Sequence, residues 1–505
     1  MHFNLGQILA NRAFLSPTLE ACVGDGYRFD YRQANARANR FAAALIGLGL
    51  AAGDRIALLC KNNEHATCAL YGAAKVGIIT AILNWRLTAP ELEYILNDCG
   101  ARLLIYDGEF APVAEALRGV TAVETFVRRG GQGPGTEFED LLTKGKGAEP
   151  VYAGADDDPC VLMYTSGTTG KPKGAMISHR NTFWASIGLT HTLRWAHKDR
   201  YLLTAPLFHI GGLAPVLANV HVGVTTVYLP DFHPVTVFET IARERVNFLM
   251  TVPLMLQAMA MVPPTMTEKL DLTCLRHFVC GASPVPESLI RLYDQKGFRI
   301  AQVYGATEYT GAITFWTNDM GLDKCASAGK PVFHGDVKVF KPGTNHELPA
   351  DEVGELCLFG PQVFQGYWRN PEATEAALVD GCFRSGDLGK IDGDGCVYVI
   401  DRLKDMIISG GENIYPAEIE AVLAAHPAVA EVAVAGKPDE RWGEIPVAFI
   451  ALKPEKKLTE AEVIGLCRDR LAGFKCVKEV RFVEAIPKNA TGKMLKNELR
   501  RTLAR

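Results

Sequence analysis

The sequence predicts an α/β fold in at least two domains, and three observations support this prediction. The chain has 505 residues, which is more than one hydrophobic core usually supports. Between about residues 30 and 110, helical and strand patterns alternate with short connections, which is typical of parallel sheets covered by helices. Near residue 400 the pattern changes, and the remaining stretch of about 100 residues is long enough for a small α+β domain.

The N-terminal alternation begins with a helix over residues 31–48, where Phe41, Ala44 and Leu45 recur on one face. Gly49 and Gly53 end this helix. Further helices are predicted over 66–76 and 91–96, and strands over 55–60, 78–83 and 102–106. The glycine-rich segment 130–135 is predicted to be a surface loop.

The most apolar region spans residues 201–230. A membrane helix needs about 20 predominantly apolar residues, but Pro206, His209, Pro215 and His221 interrupt this stretch. The region is therefore predicted to form core strands and helices beside a pocket.

The C-terminal pattern contains strands over 396–400, 429–434, 447–452 and 480–483. One helix opens at Pro416 and places Ile419, Val422 and Leu423 on one face, and another covers 459–471. We place the domain boundary between Leu403 and Lys404, which gives domains of residues 1–403 and 404–505.

Composition argues against several classes of partner. The hydrophobic fraction of 48%, the charged fraction of 22% and the net charge of −4 are ordinary for a soluble globular protein. They give no reason to expect nucleic acid or an anionic membrane as partner. The 13 cysteines are odd in number and form no C-x-x-C pair, so neither a zinc site nor a disulfide framework is indicated. Without a signal-peptide or targeting pattern, a reduced cytoplasmic location is predicted.

The most informative segment is a loop from Thr165 to Gly174, which contains three glycines, four hydroxyl side chains and two lysines. It follows an apolar strand pattern over 161–164, and such loops expose backbone N–H groups that bind phosphate oxygens. Pro172 excludes a Walker A loop, which needs Ser or Thr there. The structural alternative is a solvated, flexible loop. The predicted phosphate-binding residues are Thr165, Ser166, Gly167, Thr168, Thr169, Gly170 and Lys173.

A second candidate segment follows the strand pattern over 299–303. Tyr304 beside Gly305 can stack on a purine, and Thr307 can donate a hydrogen bond to phosphate. Glu308 offers hard oxygen ligands for Mg²⁺, together with Thr165. The structural alternative is an ordinary turn between a strand and a loop.

Two further segments have a functional and a structural interpretation. Asp387, in the run 385–387, can accept both ribose hydroxyls through its carboxylate, although an Asx-type turn is common for Asp beside Gly. Gly410 and Gly411 allow a backbone to approach a ligand closely. A plain turn explains this pair of glycines equally well.

Together these segments resemble the adenylate-forming enzymes, which include acyl-CoA synthetases, peptide-synthetase adenylation domains and luciferases. The loop at 165–174 is similar to their phosphate-binding loop, and 304–308 matches a second motif of the family. Gly281, Ala282 and Ser283 resemble the family's adenine-side loop. Asp387, Arg402 and Lys493 follow in the expected order. The resemblance covers nearly the whole chain, from residue 4 to residue 500.

The resemblance implies a large N-terminal domain of α/β subdomains and a small, mobile α+β C-terminal domain. Lys404 matches the family's hinge, and Lys493 matches the lysine that contacts the acid's carboxylate and the α-phosphate. Taken alone, each would be interpreted as an exposed surface lysine. Gly410 and Gly411 match a region that flanks the pantetheine tunnel.

The implied reaction uses ATP, Mg²⁺ and coenzyme A, with a small carboxylic acid as substrate. The acid and ATP give acyl-AMP and pyrophosphate, and coenzyme A then gives acyl-CoA and AMP. The implied catalytic residues are Lys493, Glu308, Thr165 and His209.

Phe208-His209 indicates the branch of the family. Peptide-synthetase adenylation domains place Asp after this Phe, to pair with an amino acid's ammonium, whereas this chain has His209. We expect the substrate to be a medium- or long-chain fatty acid. An alternative substrate is an aryl acid of the benzoate or cinnamate type. Alternative functions are an enzyme that loads a carrier protein and a nucleotide-binding protein without ligase activity. A structural role for His209 and a homodimeric state also stay open.

Overall fold

The computed structural model describes residues 3–165, 171–410, 412–488 and 494–503. The chain divides into two compact units. The first comprises Met1–Val337, Cys357–Arg384 and Gly395–Val397, and the second comprises Lys338–Leu356, Ser385–Asp394 and Tyr398–Arg505. The domain boundary between Leu403 and Lys404 stays a prediction.

The N-terminal third of the chain alternates helices and strands, as the sequence predicts. Its elements are α1 Leu5–Leu15, β1 Glu20–Gly24, β2 Tyr27–Asp30, α2 Tyr31–Gly47, β3 Arg55–Leu59, α3 Glu64–Lys75, β4 Ile79–Ile82, α4 Ala89–Cys99, β5 Leu103–Asp107, α5 Ala111–Leu117, β6 Thr125–Arg129, β7 Thr136–Glu137 and α6 Phe138–Lys144. Local signals fix the helix ends: Asp30 and Gln33 form a capping box at α2, and Gly100 ends α4 in the left-handed conformation.

The middle of the chain continues this alternation. Its elements are β8 Pro159–Thr165, β9 Lys173–Ser178, α7 His179–Thr192, β10 Arg200–Leu203, α8 Ile210–Val222, β11 Thr225–Tyr228, α9 Pro234–Glu244, β12 Phe248–Thr251, α10 Pro253–Ala260, α11 Pro264–Thr267, β13 His277–Gly281, α12 Glu287–Gln295, β14 Ile300–Ala306, β15 Gly311–Trp316 and β16 Lys330–Pro331. The apolar region 201–230 forms β10, α8 and β11, which confirms the prediction of core elements.

Two large sheets build the first unit. One has the strand order β7-β6-β5-β3-β4-β8-β9, and the other has β16-β15-β14-β13-β12-β10-β11-β1-β2. Neighbouring strands from β12 to β14 are parallel, whereas β8 and β9 are antiparallel. Separate hydrophobic clusters support the two sheets, one around Leu104 and Leu162 and the other around Leu202 and Phe278. Helices cover these buried sheets, so the predicted fold class is confirmed.

The C-terminal elements are β17 Asp336–Phe340, β18 Gly354–Phe359, α13 Pro371–Ala377, β19 Leu378–Val379, β20 Cys382–Ile391, β21 Val397–Arg402, β22 Ile407–Ser409, β23 Glu412–Ile414, α14 Pro416–Ala424, β24 Val429–Asp439, β25 Gly443–Leu452, α15 Glu460–Arg470, β26 Glu479–Phe482 and α16 Lys496–Leu503. Strands β24 and β25 are longer than predicted because they form one hairpin, paired from Val429–Leu452 to Asp439–Gly443.

The second unit contains most of a five-stranded sheet of order β17-β18-β20-β19, with β21 also paired to β20. It also contains a sheet of order β23-β22-β25-β24, in which β26 pairs with β25. Ile419, Val434 and Ile450 belong to the core that joins α14 to this sheet. In the described ranges of both units, every helix is too short or too polar to cross a membrane.

Candidate active site

The ends of the predicted phosphate loop are held by an antiparallel hairpin. Thr165, the last residue of β8, pairs with Lys173, the first residue of β9. The predicted residues Ser166, Gly167, Thr168, Thr169 and Gly170 lie outside the described part of the chain. The hairpin therefore anchors the loop at one edge of the seven-stranded sheet, and Thr165 and Lys173 face the connection between the strands.

Thr165 and Glu308 come together although they are far apart in sequence: Thr165 ends β8 of the seven-stranded sheet, and Glu308 follows β14 of the nine-stranded sheet. The Thr165 hydroxyl lies 3.4 Å from Glu308 Oε1, and Tyr367 donates a hydrogen bond of 2.9 Å to the same oxygen. Lys173 Nζ lies 5.1 Å from the centre of the Tyr367 ring, within the range of a cation–π contact. Burial, followed by the charge of Glu308, raises the pKa of Tyr367, so its hydroxyl stays protonated.

This cluster has the donor chemistry that Mg²⁺ requires. The ion prefers oxygen ligands and commonly takes only one or two protein carboxylates, with its other positions filled by water and substrate phosphates. Glu308 supplies a carboxylate, and Thr165 supplies a hydroxyl beside it. The residues therefore fit the ion, and their assignment as its ligands stays a prediction. Tyr367 was missed by sequence reasoning because nothing in its neighbourhood distinguishes it from a structural aromatic.

The segment around Glu308 begins later than predicted. Strand β14 extends to Ala306, and a short 3₁₀ turn, Thr307–Tyr309, follows it. Gly305 sits at an irregularity in the pairing with β15, where a Cβ atom would lie 2.5 Å from the Gly311 carbonyl oxygen. Only glycine fits this bulge. Tyr304 is half-buried, and its stacking on a purine stays a prediction.

An apolar cavity lies in the first unit beside this segment. The space between its walls, including its open mouth, is about 630 Å³. Its walls come from α7, α8 and five neighbouring strands of the nine-stranded sheet. The lining residues are Ala185, Leu189, Trp195, Tyr201, His209, Ile210, Gly211, Ala214, Pro215, Met250, Val279, Ala282, Val303, Gly305, Thr310, Gly311, Ala312 and Phe315. The predicted pocket beside the region 201–230 is thus present.

The adenine-side residues lie at the end of β13. Gly281 ends this strand and is buried, whereas Ala282 and Ser283 are exposed. Ala282 has a φ of 68°, which is uncommon for a residue other than glycine. Such a backbone conformation persists only where its surroundings fix it. Ala282 lines the mouth of the cavity, and its contact with a nucleotide stays a prediction.

His209 has a structural contact as well as a place in the cavity wall. It is the N-cap residue of α8, and its Nδ1 accepts a hydrogen bond of 3.2 Å from the Gly211 backbone. Because Nδ1 acts as the acceptor, the proton of a neutral ring lies on Nε2. A structural role for His209, as the cap of α8, is therefore supported. Its predicted catalytic role at the cavity stays a prediction.

In the second unit, the predicted ribose ligand is buried and paired. Arg402 Nε lies 2.6 Å from Asp387 Oδ1, and the Asp387 side chain is 7% exposed. Residues 385–387 lie inside β20, where the Asp387 N–H donates a hydrogen bond of 3.0 Å to Ser385 Oγ. Gly386 has a φ of 67° and bends the strand there. The alternation of hydrophobic residues is broken at this bend, which is why the sequence suggests a loop.

The second unit also contains the predicted hinge, tunnel and catalytic residues. Lys404 is exposed in a short 3₁₀ turn, Leu403–Asp405. Gly410 lies in the turn between β22 and β23 and donates a hydrogen bond of 2.7 Å to the Trp442 carbonyl. Gly411 and Lys493 lie outside the described residues. The roles of all four as hinge, tunnel and catalytic residues stay predictions.

Comparison with known proteins identifies the family. A model of the AMP-binding enzymes matches residues 9–368, and a model of the AMP-binding enzyme C-terminal domain matches residues 418–493. The chain belongs to the AMP-binding enzyme family. It is 40% identical to the long-chain-fatty-acid–CoA ligase FadD13 of Mycobacterium tuberculosis, over 98% of each chain. It is also 38% identical to a feruloyl-CoA synthase of an Amycolatopsis species, again over 98% of each.

Solved structures of other AMP-binding enzymes have the same fold. A fatty acyl CoA synthetase of Mycobacterium tuberculosis matches with a TM-score of 0.81 and 39% identity, over 99% of this chain and 98% of that one. An o-succinylbenzoate coenzyme A synthetase of Bacillus subtilis, in complex with ATP and a magnesium ion, matches with a TM-score of 0.87 and 31% identity over 99% of both chains. Both family-model domains and both structures agree with the resemblance that the sequence motifs indicate.

Proposed function

We propose that the protein is an AMP-forming acid–thiol ligase that converts a carboxylic acid, ATP and coenzyme A into acyl-CoA, AMP and pyrophosphate. The observation that carries the proposal is the meeting of Thr165 and Glu308 beside the apolar cavity. A phosphate-binding loop, an acidic metal ligand and a pocket for an apolar acid are the parts that acid activation requires. Membership of the AMP-binding enzyme family supports the same reaction.

The chemistry explains why the acid is first joined to AMP. A free carboxylate is a poor acyl donor because an oxide ion would have to leave, whereas AMP leaves easily. Attack of the carboxylate oxygen on the α-phosphorus forms one P–O bond and breaks another, which releases pyrophosphate. The thiol sulfur of coenzyme A then attacks the acyl carbon, and AMP departs.

The first step brings together two anions, so charge must be neutralised in advance. A bound Mg²⁺ would supply positive charge to the phosphates. Glu308 and Thr165 would hold the ion, and Lys173 and the loop N–H groups would bind the phosphates that leave. Lys493 would offset the repulsion between the acid's carboxylate and the α-phosphate. In the second unit, Asp387 would accept the ribose hydroxyls while Arg402 holds its carboxylate in place.

The acid is proposed to have one carboxylate and an apolar body. Within the described part of the chain, no Asp, Glu, Lys or Arg side chain lines the cavity, so a second charge on the acid would be left unpaired. A fatty acid and an aryl acid both satisfy this condition. The relatives include a long-chain-fatty-acid–CoA ligase, a feruloyl-CoA synthase and an indoleacetate–CoA ligase.

A carrier protein is the second candidate for the acceptor. The chain is 38% identical to a fatty acid–[acyl-carrier-protein] ligase of Streptomyces coeruleorubidus, over 96% of this chain and 93% of that one. Incubation with ATP, the acid and coenzyme A alone separates the two. Release of AMP and formation of the thioester support coenzyme A, and release of AMP only after a carrier protein is added supports the alternative.

The two half-reactions test the role of Lys493. Lys493→Ala should abolish acid-dependent exchange of pyrophosphate into ATP and largely spare thioester formation from supplied acyl-AMP. Lys488→Ala is a matched control, because Lys488 lies five positions earlier in the sequence and is paired with Glu431. If both half-reactions fall equally in folded Lys493→Ala, the assignment is wrong.

The proposed rotation of the C-terminal domain makes the opposite prediction for Lys404. Proline restricts φ and should block a backbone rotation at this position. Lys404→Pro should therefore lose thioester formation while pyrophosphate exchange survives, and Lys404→Ala should retain both. Wild-type turnover by the proline variant would contradict the hinge.

A further inference from the structure

The two halves of the proposed metal site belong to separate sheets. Thr165 lies in the seven-stranded sheet, and Glu308 follows a strand of the nine-stranded sheet. Within the described residues, no strand of one sheet pairs with a strand of the other. Contacts outside the sheets must therefore maintain the 3.4 Å distance between the Thr165 hydroxyl and Glu308 Oε1.

A single stretch of chain, residues 359–368, contacts both halves and forms a bridging segment between them. On one side it lies along β9, the strand at the edge of the seven-stranded sheet. The Trp368 backbone N–H donates a hydrogen bond of 2.7 Å to the Gly174 carbonyl, and Met176 exchanges two backbone hydrogen bonds with the same segment. The bridging segment therefore continues this sheet beyond β9 and covers its free edge.

On its other side, the bridging segment holds the short turn that carries Glu308. The Phe364 backbone N–H donates a hydrogen bond of 2.9 Å to the Glu308 carbonyl. The Tyr309 hydroxyl donates one of 2.7 Å to the Phe359 carbonyl. The Thr310 hydroxyl donates a third, of 2.8 Å, to the same segment. Three hydrogen bonds thus fix the turn to the segment that also pairs with β9.

The Tyr309 hydroxyl lies in a space that the fold fits closely around it. Tyr309 is 0% exposed, and its hydroxyl oxygen also has a hydrogen bond with the Asp336 backbone. A Cβ atom on Gly335 or Gly360 would lie 2.5 or 2.9 Å from this oxygen. Because Tyr309 directly follows Glu308 in the chain, an anchored Tyr309 ring restricts how far the Glu308 carboxylate can move.

We propose that the bridging segment sets the distance between Thr165 and Glu308, and that Tyr309 is a positioning residue that fixes the Glu308 turn to this segment. The inference rests on the proposed ligase function, in which Thr165 and Glu308 hold Mg²⁺. A residue that orients a metal ligand changes the affinity of the site without contacting the ion. A purely structural residue changes stability alone, so the two roles can be separated by experiment.

The first test removes the hydroxyl with Tyr309→Phe and keeps the ring. ATP binding by the full-length protein is measured by calorimetry without an acid, over a range of Mg²⁺ concentrations. The Mg²⁺ concentration at half-maximal ATP binding should rise about fivefold, which is the effect of losing one hydrogen bond. At saturating Mg²⁺ the affinity for ATP should stay close to that of the wild-type protein.

The second test follows the bridging segment itself and does not depend on any activity. Backbone amide hydrogen exchange reports local opening. In Tyr309→Phe, exchange should become up to about fivefold faster in peptides that cover residues 307–310 and 359–368. Exchange elsewhere in the nine-stranded sheet should change less, because its strands keep their pairing.

Tyr31→Phe is the matched control for both tests. Tyr31 is also 0% exposed, and its hydroxyl also contacts two backbone groups, the Val224 carbonyl at 2.7 Å and the Asn219 carbonyl at 3.3 Å. Its loss should lower stability but leave the Mg²⁺ dependence and the exchange of residues 359–368 unchanged. If Tyr309→Phe does not fold, Thr310→Val removes another hydrogen bond to the bridging segment and should give the same shift.

Three results would overturn the inference and leave the ligase function standing. The first is a wild-type Mg²⁺ dependence of ATP binding in every folded variant of the turn. The second is unchanged hydrogen exchange in residues 359–368. The third is an equal rise in the Mg²⁺ requirement in Tyr31→Phe, which would indicate general destabilisation. If the wild-type protein shows no Mg²⁺-dependent binding of ATP, the ligase function and this inference both fail.

Discussion

Removal of the Tyr367 hydroxyl should weaken the binding of Mg²⁺ and ATP without unfolding the protein. This hydroxyl donates a hydrogen bond of 2.9 Å to Glu308 Oε1. Phenylalanine keeps the ring over which Lys173 lies, so Tyr367→Phe isolates the hydrogen bond. A hydrogen bond to a charged group contributes about 1.5–3 kcal/mol. Both residues are half-buried, so we expect the lower end of this range, which corresponds to about a tenfold effect.

The assay is acid-dependent exchange of pyrophosphate into ATP, measured over a range of Mg²⁺ concentrations. The Mg²⁺ concentration at half-maximal exchange should rise about tenfold in Tyr367→Phe, because the Glu308 carboxylate is less firmly oriented. Tyr293→Phe is a suitable control: Tyr293 donates a hydrogen bond of 2.7 Å to the Leu256 carbonyl in a buried core. It should lower stability by about 1 kcal/mol and leave the Mg²⁺ dependence unchanged. A wild-type Mg²⁺ dependence in Tyr367→Phe would refute the proposed arrangement.

Two further predictions concern histidines of the first unit. Asparagine is a good N-cap residue, so His209→Asn should keep the thermal stability of the protein while KM for the acid rises about tenfold; wild-type kinetics would show that His209 is only a helix cap. His179→Ala should lower stability by about 1 kcal/mol or more through loss of the acceptor for the Leu5 N–H, whereas His179→Gln keeps an acceptor and should change the pH dependence of stability instead. Burial lowers the pKa of His179 from 6.5 to about 4, so the unfolded chain binds more protons between these values and stability is lost as the pH falls through this window. The loss amounts to about 3 kcal/mol, and His179→Gln should remove it from urea-unfolding free energies measured between pH 7 and about 4; an unchanged slope would contradict the assignment.

The sequence could predict elements whose pattern is local. The helix that begins at Tyr31 and the strand that begins at Arg55 start where predicted, because hydrophobic periodicity and glycine breaks define them. Thr459 and Glu462 form a capping box at α15, and four consecutive residues are enough to indicate this start of a helix. The fold class followed from the order of these elements.

Site features that depend on long-range contacts could be predicted only through the resemblance. Thr165 and Glu308 are 143 positions apart, and no periodicity indicates that two sheets bring them together. Tyr367 was missed for the same reason, since its contact with Glu308 depends on how distant elements pack.

The bend in β20 illustrates a different limit. The glycine and the polar residues at 385–387 suggest a turn, yet the strand continues through them. Pairing with neighbouring strands stabilises the strand conformation at 385–387, which these residues do not favour by themselves. Asp387 is thereby held on a sheet and paired with Arg402, and its role as a ribose ligand stays a prediction.

The protein is proposed to activate an acid by transferring AMP to it. The most direct measurement is the identity of the nucleotide formed in a single turnover with α-labelled ATP, Mg²⁺ and a panel of acids, with and without coenzyme A. Without coenzyme A, we expect enzyme-bound acyl-AMP and pyrophosphate, and once coenzyme A is added we expect equal amounts of acyl-CoA and AMP. Formation of ADP and inorganic phosphate, or ATP cleavage that does not depend on an acid, would contradict the proposed transfer of AMP.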